Sequence, residues 1–302
     1  VAVIEPTEPA GRADGVTSEL ARLLAPAELP GDRFVGRPQP WPRSRAFGGL
    51  LLAQSVAAAG HTMPDRTSVH SVHATFVSRA DPGQPTEYLV DRVRDGLVSG
   101  LRRVSARQDR GEVCAATVSG RRDRDHAGYA SRPPVTVGPE SLPTLAERFA
   151  EVGIDVPRSR DLPAGFDLRH VEPPPYLAPP HGPVRPRQLA WLRITEPLPD
   201  HPLVDVCALA YSADLLIGEP VFFLAECARD PAAADLVSLD HVMWLHGGFR
   251  AGEWLLYDQE CLAAAGDRVL SRARVYRRSG QLVATMLQEG LLHIRRRRAP
   301  VT

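Results

Sequence analysis

The sequence predicts an α+β protein of two similar halves, each an antiparallel sheet curled round one long helix and joined to its twin in a continuous sheet. Three observations predict this. Two long helical runs, from Phe47 to Ala59 and from about His201 to Ala213, each precede a series of strand-like segments. Both series end in a hairpin that turns on a glycine. The two hairpins also align, LRRVSARQDRGEVCAATVSG over LSRARVYRRSGQLVATMLQEG, with Arg110-Gly111 opposite Ser279-Gly280. A curved sheet buries the apolar face of the helix it wraps, and joining two such sheets removes the exposed edges where they meet.

In chain order, a short helix is expected from Thr17 to Leu24, where Leu20, Leu23 and Leu24 share a face. Pro26 and Pro30 end it, and a strand follows from Asp32 to Gln39. The first long helix places Phe47, Leu50, Leu51 and Gln54 at helical spacing and closes at Gly60. Strands are then expected at Ser68 to Val77 and Glu87 to Arg94. The hairpin strands Leu101 to Gln108 and Val113 to Val118 flank the turn Asp109-Arg110-Gly111-Glu112. Residues 121–165 are rich in Pro, Arg and Ser and read as a linker with one amphipathic stretch near Leu145 to Val152. Strands at Phe166 to His170 and Gln188 to Thr195 bracket a proline-dense loop, Pro173 to Pro186. After the second long helix come strands at Leu236 to His246 and Glu253 to Cys261, then the hairpin Val269 to Arg277 and Gln281 to His293. The division is residues 17–120, a linker 121–165, and residues 166–294.

Composition excludes several chemistries. The 302 residues carry 36 basic and 36 acidic side chains, so the net charge is zero and no nucleic-acid partner is expected. Every basic residue is Arg; neither Lys nor Asn occurs. That rules out a P-loop lysine, a Schiff base, a pyridoxal-phosphate anchor and N-glycosylation. Cys114, Cys207, Cys227 and Cys261 are scattered and are expected to be reduced and buried. The polar, acidic opening predicts no leader, and no apolar run of the ~18 residues needed for a bilayer span is evident. The cytoplasm is the expected compartment.

The candidate chemistry lies in the second half. Leu203, Cys207, Ala210 and Asp214 fall on one helical stripe, so Asp214 puts a carboxylate where a hydrophobe is expected. A buried carboxylate must be hydrogen-bonded; the alternative is that Asp214 lies just past the helix end and caps the next turn. Under ideal alternation Ser238 shares a face with Leu236, Asp240, Val242 and Trp244, which makes Asp240 a rival acid. A Ser in such a row usually does no more than bond backbone. Gln288 interrupts the apolar row Leu282, Ala284, Met286. Together an acid, a hydroxyl and an amide could orient and deprotonate a water. Gly48 and Gly49, at a helix start, present N–H groups that could hold an oxyanion or simply allow close packing. There is no G-x-S-x-G elbow and no H-E-x-x-H; His70/His73 and His241/His246 are spaced to opposite strand faces, against shared metal ligation. The basic run Arg295 to Arg298 reads as a solvated tail.

These residues resemble the acyl-CoA thioesterase II family, the double hot-dog acyl-CoA hydrolases. The likeness runs from Glu19 to His293 outside the linker. It rests on GDRFVGRPQP, AFGGLLLAQSVAAA, VHSVHATF and RDG at Arg94 to Gly96, and on YSADL, SLDHVMWLH, EWLLYDQE and LVATMLQEG. It implies a catalytic trio of Asp214, Ser238 and Gln288 holding a nucleophilic water, and so prefers Asp214 to Asp240. Ser238 stands where the family commonly has Thr. After Gly96 the family's Asn or Lys, Ser, Phe, Ser is replaced by Leu97, Val98, Ser99 and Gly100. The expected function is hydrolysis of fatty acyl-CoA to fatty acid and CoA, with no cofactor or metal, in a homodimer or homotetramer. A non-catalytic acyl-CoA or lipid-binding protein on the same scaffold is the rival.

Overall fold

The computed structural model describes residues 18–40, 44–122, 129–153, 165–177, 186–224 and 234–294. Cys227, Arg295 to Arg298 and much of the proline-dense loop lie outside them.

The first half comprises α1 (Glu19–Leu24), β1 (Ala27–Leu29), β2 (Arg33–Gly36), α2 (Gly48–His61), β3 (Ser68–Phe76), β4 (Thr86–Asp95), β5 (Ser99–Gln108) and β6 (Gly111–Arg121). The linker contributes α3 (Leu145–Glu151). The second half comprises β7 (Phe166–His170), β8 (Arg187–Ile194), α4 (Pro202–Leu216), β9 (Ala234–Ser238), β10 (Asp240–Leu245), β11 (Leu255–Ala265), β12 (Arg268–Arg277) and β13 (Leu282–Ile294). Ser18 caps α1 by accepting from the Ala21 N–H, and Pro202 opens α4, where its missing N–H costs nothing. The three-residue strand β1 lies between the two prolines, where only a helix stop was expected.

The thirteen strands of the described residues form one antiparallel sheet, in the order β1-β2-β4-β5-β6-β3-β10-β13-β12-β11-β8-β7, with β9 also on β13. The order is the same read outward from the β3–β10 pair in either direction: β6, β5, β4 on one side and β13, β12, β11 on the other. The halves therefore meet strand to strand, and the sheet's free edges are the short strands β1 and β7.

Inside this sheet α2 and α4 pack antiparallel, close enough that two glycines are required. A Cβ on Gly49 would lie 2.5 Å from the Tyr211 carbonyl oxygen, and one on Gly60 would lie 2.4 Å from Leu203. Each helix is walled by sheet on one side and by its partner on the other. Both are therefore buried nearly all round, more than the single stripe expected from spacing. Truncating a fully buried side chain such as Leu52 or Leu209 to Ala costs about 2–5 kcal/mol in such a setting.

Two expectations are corrected here. The run Pro202–Leu224 is long and apolar enough, by length and composition, to cross a bilayer, although 78% of its apolar window is buried inside the protein. Asp205, Asp214 and Glu219 interrupt it, which is why it did not read as one run. And α4 continues to Leu216, so Asp214 lies within the helix and does not cap the next turn.

Candidate active site

Asp214 sits in the last turn of α4, half-buried, facing the first turn of α2. Its Oδ2 accepts from the Gly49 backbone N–H at 2.9 Å, and its Oδ1 accepts from the Ser238 hydroxyl at 2.8 Å. Ser238 Oγ accepts in turn from Gln288 Nε2 at 2.9 Å. Gln288 Oε1 lies 2.6 Å from His241 Nδ1. The structure thus brings Asp214, Ser238, Gln288 and Gly49 into one hydrogen-bonded chain and adds His241.

The local sequence explains how. Ser238 ends β9, opposite Gly290, while β10 resumes on the same strand with Val242 opposite Leu287. The pairing slips by one residue across Leu239, whose N–H and carbonyl bond Glu289 and Phe76. One extra residue inverts alternation. His241, Met243 and Leu245 therefore turn inward, whereas Asp240, Val242 and Trp244 do not. This corrects the expected shared face of Ser238 and Asp240. The Asp240 carboxylate is engaged elsewhere, accepting from the Glu289 N–H at 2.8 Å. Gln288 keeps its place in the inward row with Ala284 and Met286.

His241 is fully buried; burial pushes its pKa down and favours the neutral ring, against the pull of the Asp214 charge, which favours the protonated one. Its Nε2 is buried without a partner among the described residues. The sequence reading weighed this histidine only as a metal ligand; what could have found it is the break after Ser238, which alternation alone does not reveal.

Asp214, Ser238, Gln288 and Gly48 border a cavity of about 460 Å³. Leu51, Phe76, Leu168, Leu215, Phe222 and Leu236 make its walls mostly apolar; Arg45, Ser78, Arg79, Tyr176 and Glu219 are its other polar features. Arg45 pairs with Asp235 at 2.9 Å. Gly48 lines the cavity, and a Cβ there would come 2.8 Å from Asp214 Oδ2, too close for any side chain. Its N–H has no protein acceptor among the described residues, whereas the Gly49 N–H, also a candidate oxyanion donor, is occupied by Asp214. None of Leu97, Val98, Ser99 and Gly100 borders this cavity; Leu97 is 85% exposed in the turn before β5. Asp95, from the same RDG motif, accepts from Arg102.

Two helices wrapped by one sheet, with the halves paired at β3 and β10, define the double hot-dog class. A hot-dog protein of Alicyclobacillus acidocaldarius shares this fold at 18% identity, with a TM-score of 0.74 over 95% of this chain and 100% of that one. Residues 37–120 match the acyl-CoA thioesterase N-terminal domain, and residues 139–292 match the acyl-CoA thioesterase C-terminal domain. The chain belongs to the acyl-CoA thioesterase family. Acyl-coenzyme A thioesterase 8 of Rattus norvegicus is 31% identical over 86% of this chain and 84% of its own length. Acyl-CoA thioesterase 2 of Haemophilus influenzae is 25% identical over 92% and 98%. The crystal structure of acyl-CoA thioesterase II from Mycobacterium marinum is 32% identical, with a TM-score of 0.74 over 91% of this chain and 98% of that one.

Proposed function

We propose that the protein hydrolyses fatty acyl-CoA to free fatty acid and CoA, and that Asp214, Ser238 and Gln288 carry the reaction. The observation that supports this most is the ladder of donors that ends on Asp214 at the wall of an apolar cavity. Each carboxylate oxygen accepts one protein hydrogen bond and keeps a lone pair for water.

In this reading a water bound to Asp214 attacks the thioester carbonyl carbon and gives its proton to the carboxylate. The tetrahedral oxyanion is met by the Gly48 N–H and by the second Nε2 hydrogen of Gln288, the first being held by Ser238. Collapse breaks the C–S bond, and the CoA thiolate takes the proton from Asp214. The apolar wall suits a hydrocarbon tail.

The test is thiol release from acyl-CoAs of increasing chain length by the wild type and by Asp214→Asn. Release by the wild type and none by the variant supports the reading. Background signals from both would overturn it in favour of a non-catalytic acyl-CoA-binding protein. The division into residues 17–120, a linker 121–165 and residues 166–294 and the cytoplasmic location belong to the same proposal as readings of the sequence pattern, and a homodimer or homotetramer rests on the resemblance. Light scattering of the purified chain tests the last of these.

A further inference from the structure

The catalytic reading leaves one member of this hydrogen-bonded chain unused: the fully buried imidazole of His241, whose Nδ1 meets Gln288 one position beyond the paired Val242 and Leu287 of β10 and β13, next to the junction of the halves. We propose that His241 is a positioning residue, held as the neutral Nδ1–H tautomer, that sets the direction of every hydrogen bond from Gln288 to Asp214. This rests on the hydrolytic role of that chain.

The argument is one of donors and acceptors. An amide has a donor end and an acceptor end, and a hydroxyl has one hydrogen. With Nδ1–H donating to Gln288 Oε1 at 2.6 Å, the amide must turn its NH₂ to Ser238, and Ser238 must spend its hydrogen on Asp214. The Nε2–H tautomer would make Nδ1 an acceptor and rotate the amide by half a turn. Its oxygen would then face Ser238, and two acceptors would compete for one hydroxyl hydrogen. Asp214 would lose a donor, and the cavity would lose the free amide hydrogen.

The environment of the other nitrogen favours the same tautomer. Nε2 is buried with no partner among the described residues, so the Nδ1–H form strands only a lone pair there. Either the Nε2–H tautomer or the cation would strand a donor, and orphaned buried N–H groups are the rarer and costlier case. The groups whose charge acts on the ring are Asp214 and Asp240, while β3 places Ala74 opposite it.

The test combines a spectrum with three variants of the full chain. In ¹⁵N-histidine-labelled protein at neutral pH, the imidazole signal missing from His241→Asn should show a protonated Nδ1 and a bare Nε2. An Nε2–H or doubly protonated ring would overturn the proposal. Among the variants, Asn reproduces the Nδ1 donor, Gln reaches only the Nε2 position and Ala supplies neither. His241→Gln and His241→Ala should lose on the order of 100-fold in kcat with KM little changed, while His241→Asn recovers most of it. Equal kcat in all three, or an Asn variant as slow as Ala, would also overturn it. Absence of thiol release from the wild type would sink the hydrolytic reading alone, since the spectrum still decides the tautomer.

Discussion

The two ends of the α2–α4 pair differ in one respect that separates the proposed reactive site from a structural one. At one end the start of α2 meets the last turn of α4, and the donors of Gly49 and Ser238 converge on a half-buried carboxylate with acceptor capacity left over. At the other, the end of α2 meets the start of α4, and a fully buried Arg102 fills the corresponding place. Its guanidinium donates to Thr62 Oγ1 and the Thr62 carbonyl, to Asp95 Oδ1, and to the carbonyls of Arg94 and Leu101. The hairpin alignment sets Arg102 against Ser271, the cross-strand neighbour of Gln288, so related positions carry opposite solutions. Five acceptors saturate the guanidinium. Chemistry is available where hydrogen-bonding capacity is left open toward a cavity, and not where it is closed.

The largest effect that would test this contrast is at the open end. Asp214→Asn should lower kcat by about 1,000-fold or more with the fold intact, because the amide cannot take the proton from water. Loss of folding, read by circular dichroism, would instead make Asp214 structural. At the closed end Arg102→Met should do the converse. It strands the Asp95 and Thr62 acceptors and costs about 3 kcal/mol of stability, read from urea unfolding, while kcat per folded molecule is unchanged. A kcat loss there would break the division of roles.

Ser238→Ala comes next, with a fall in kcat of roughly 10–100-fold, whereas Ser238→Thr keeps the hydroxyl and most of the rate. The smallest effect concerns pH. Burial lowers the pKa of His61, His70, His241 and His246, so the unfolded chain binds protons that the folded one refuses. Their contribution is present in full above about 6.5, the unfolded histidine value, and is lost as pH falls below it toward the lowered folded values. The urea midpoint should therefore drop between pH 7.5 and 5.5, and less steeply in His241→Asn. A flat profile would show that these rings protonate in place.

Much of this was legible locally. The helix expected from Phe47 to Ala59, which spans Gly48–His61 in the structure, and the hairpin strands stood out by spacing, and Gln288 stood out as a polar side chain in an inward row that the structure retains. Asp214 was legible as an anomaly on a helical stripe, but whether it ended the helix was not, since Leu215 and Leu216 extend α4 through contacts with the rest of the core. Asp240 stood as a rival acid to Asp214, on the face of Ser238, because alternation assumes an unbroken strand. His241 was hidden for the same reason.

By itself, then, the sequence determined the two-half architecture, the helices and strands, and a short set of polar residues standing in apolar rows. Periodicity is a property of neighbours in the chain, and it carries that much. Only the tertiary structure decided which of those residues meet. Gly49 and Asp214 are 165 positions apart and are joined by the close crossing of two helices, and the slip at Leu239 turned His241 inward in place of Asp240. Both depend on packing between distant segments, which no local pattern encodes.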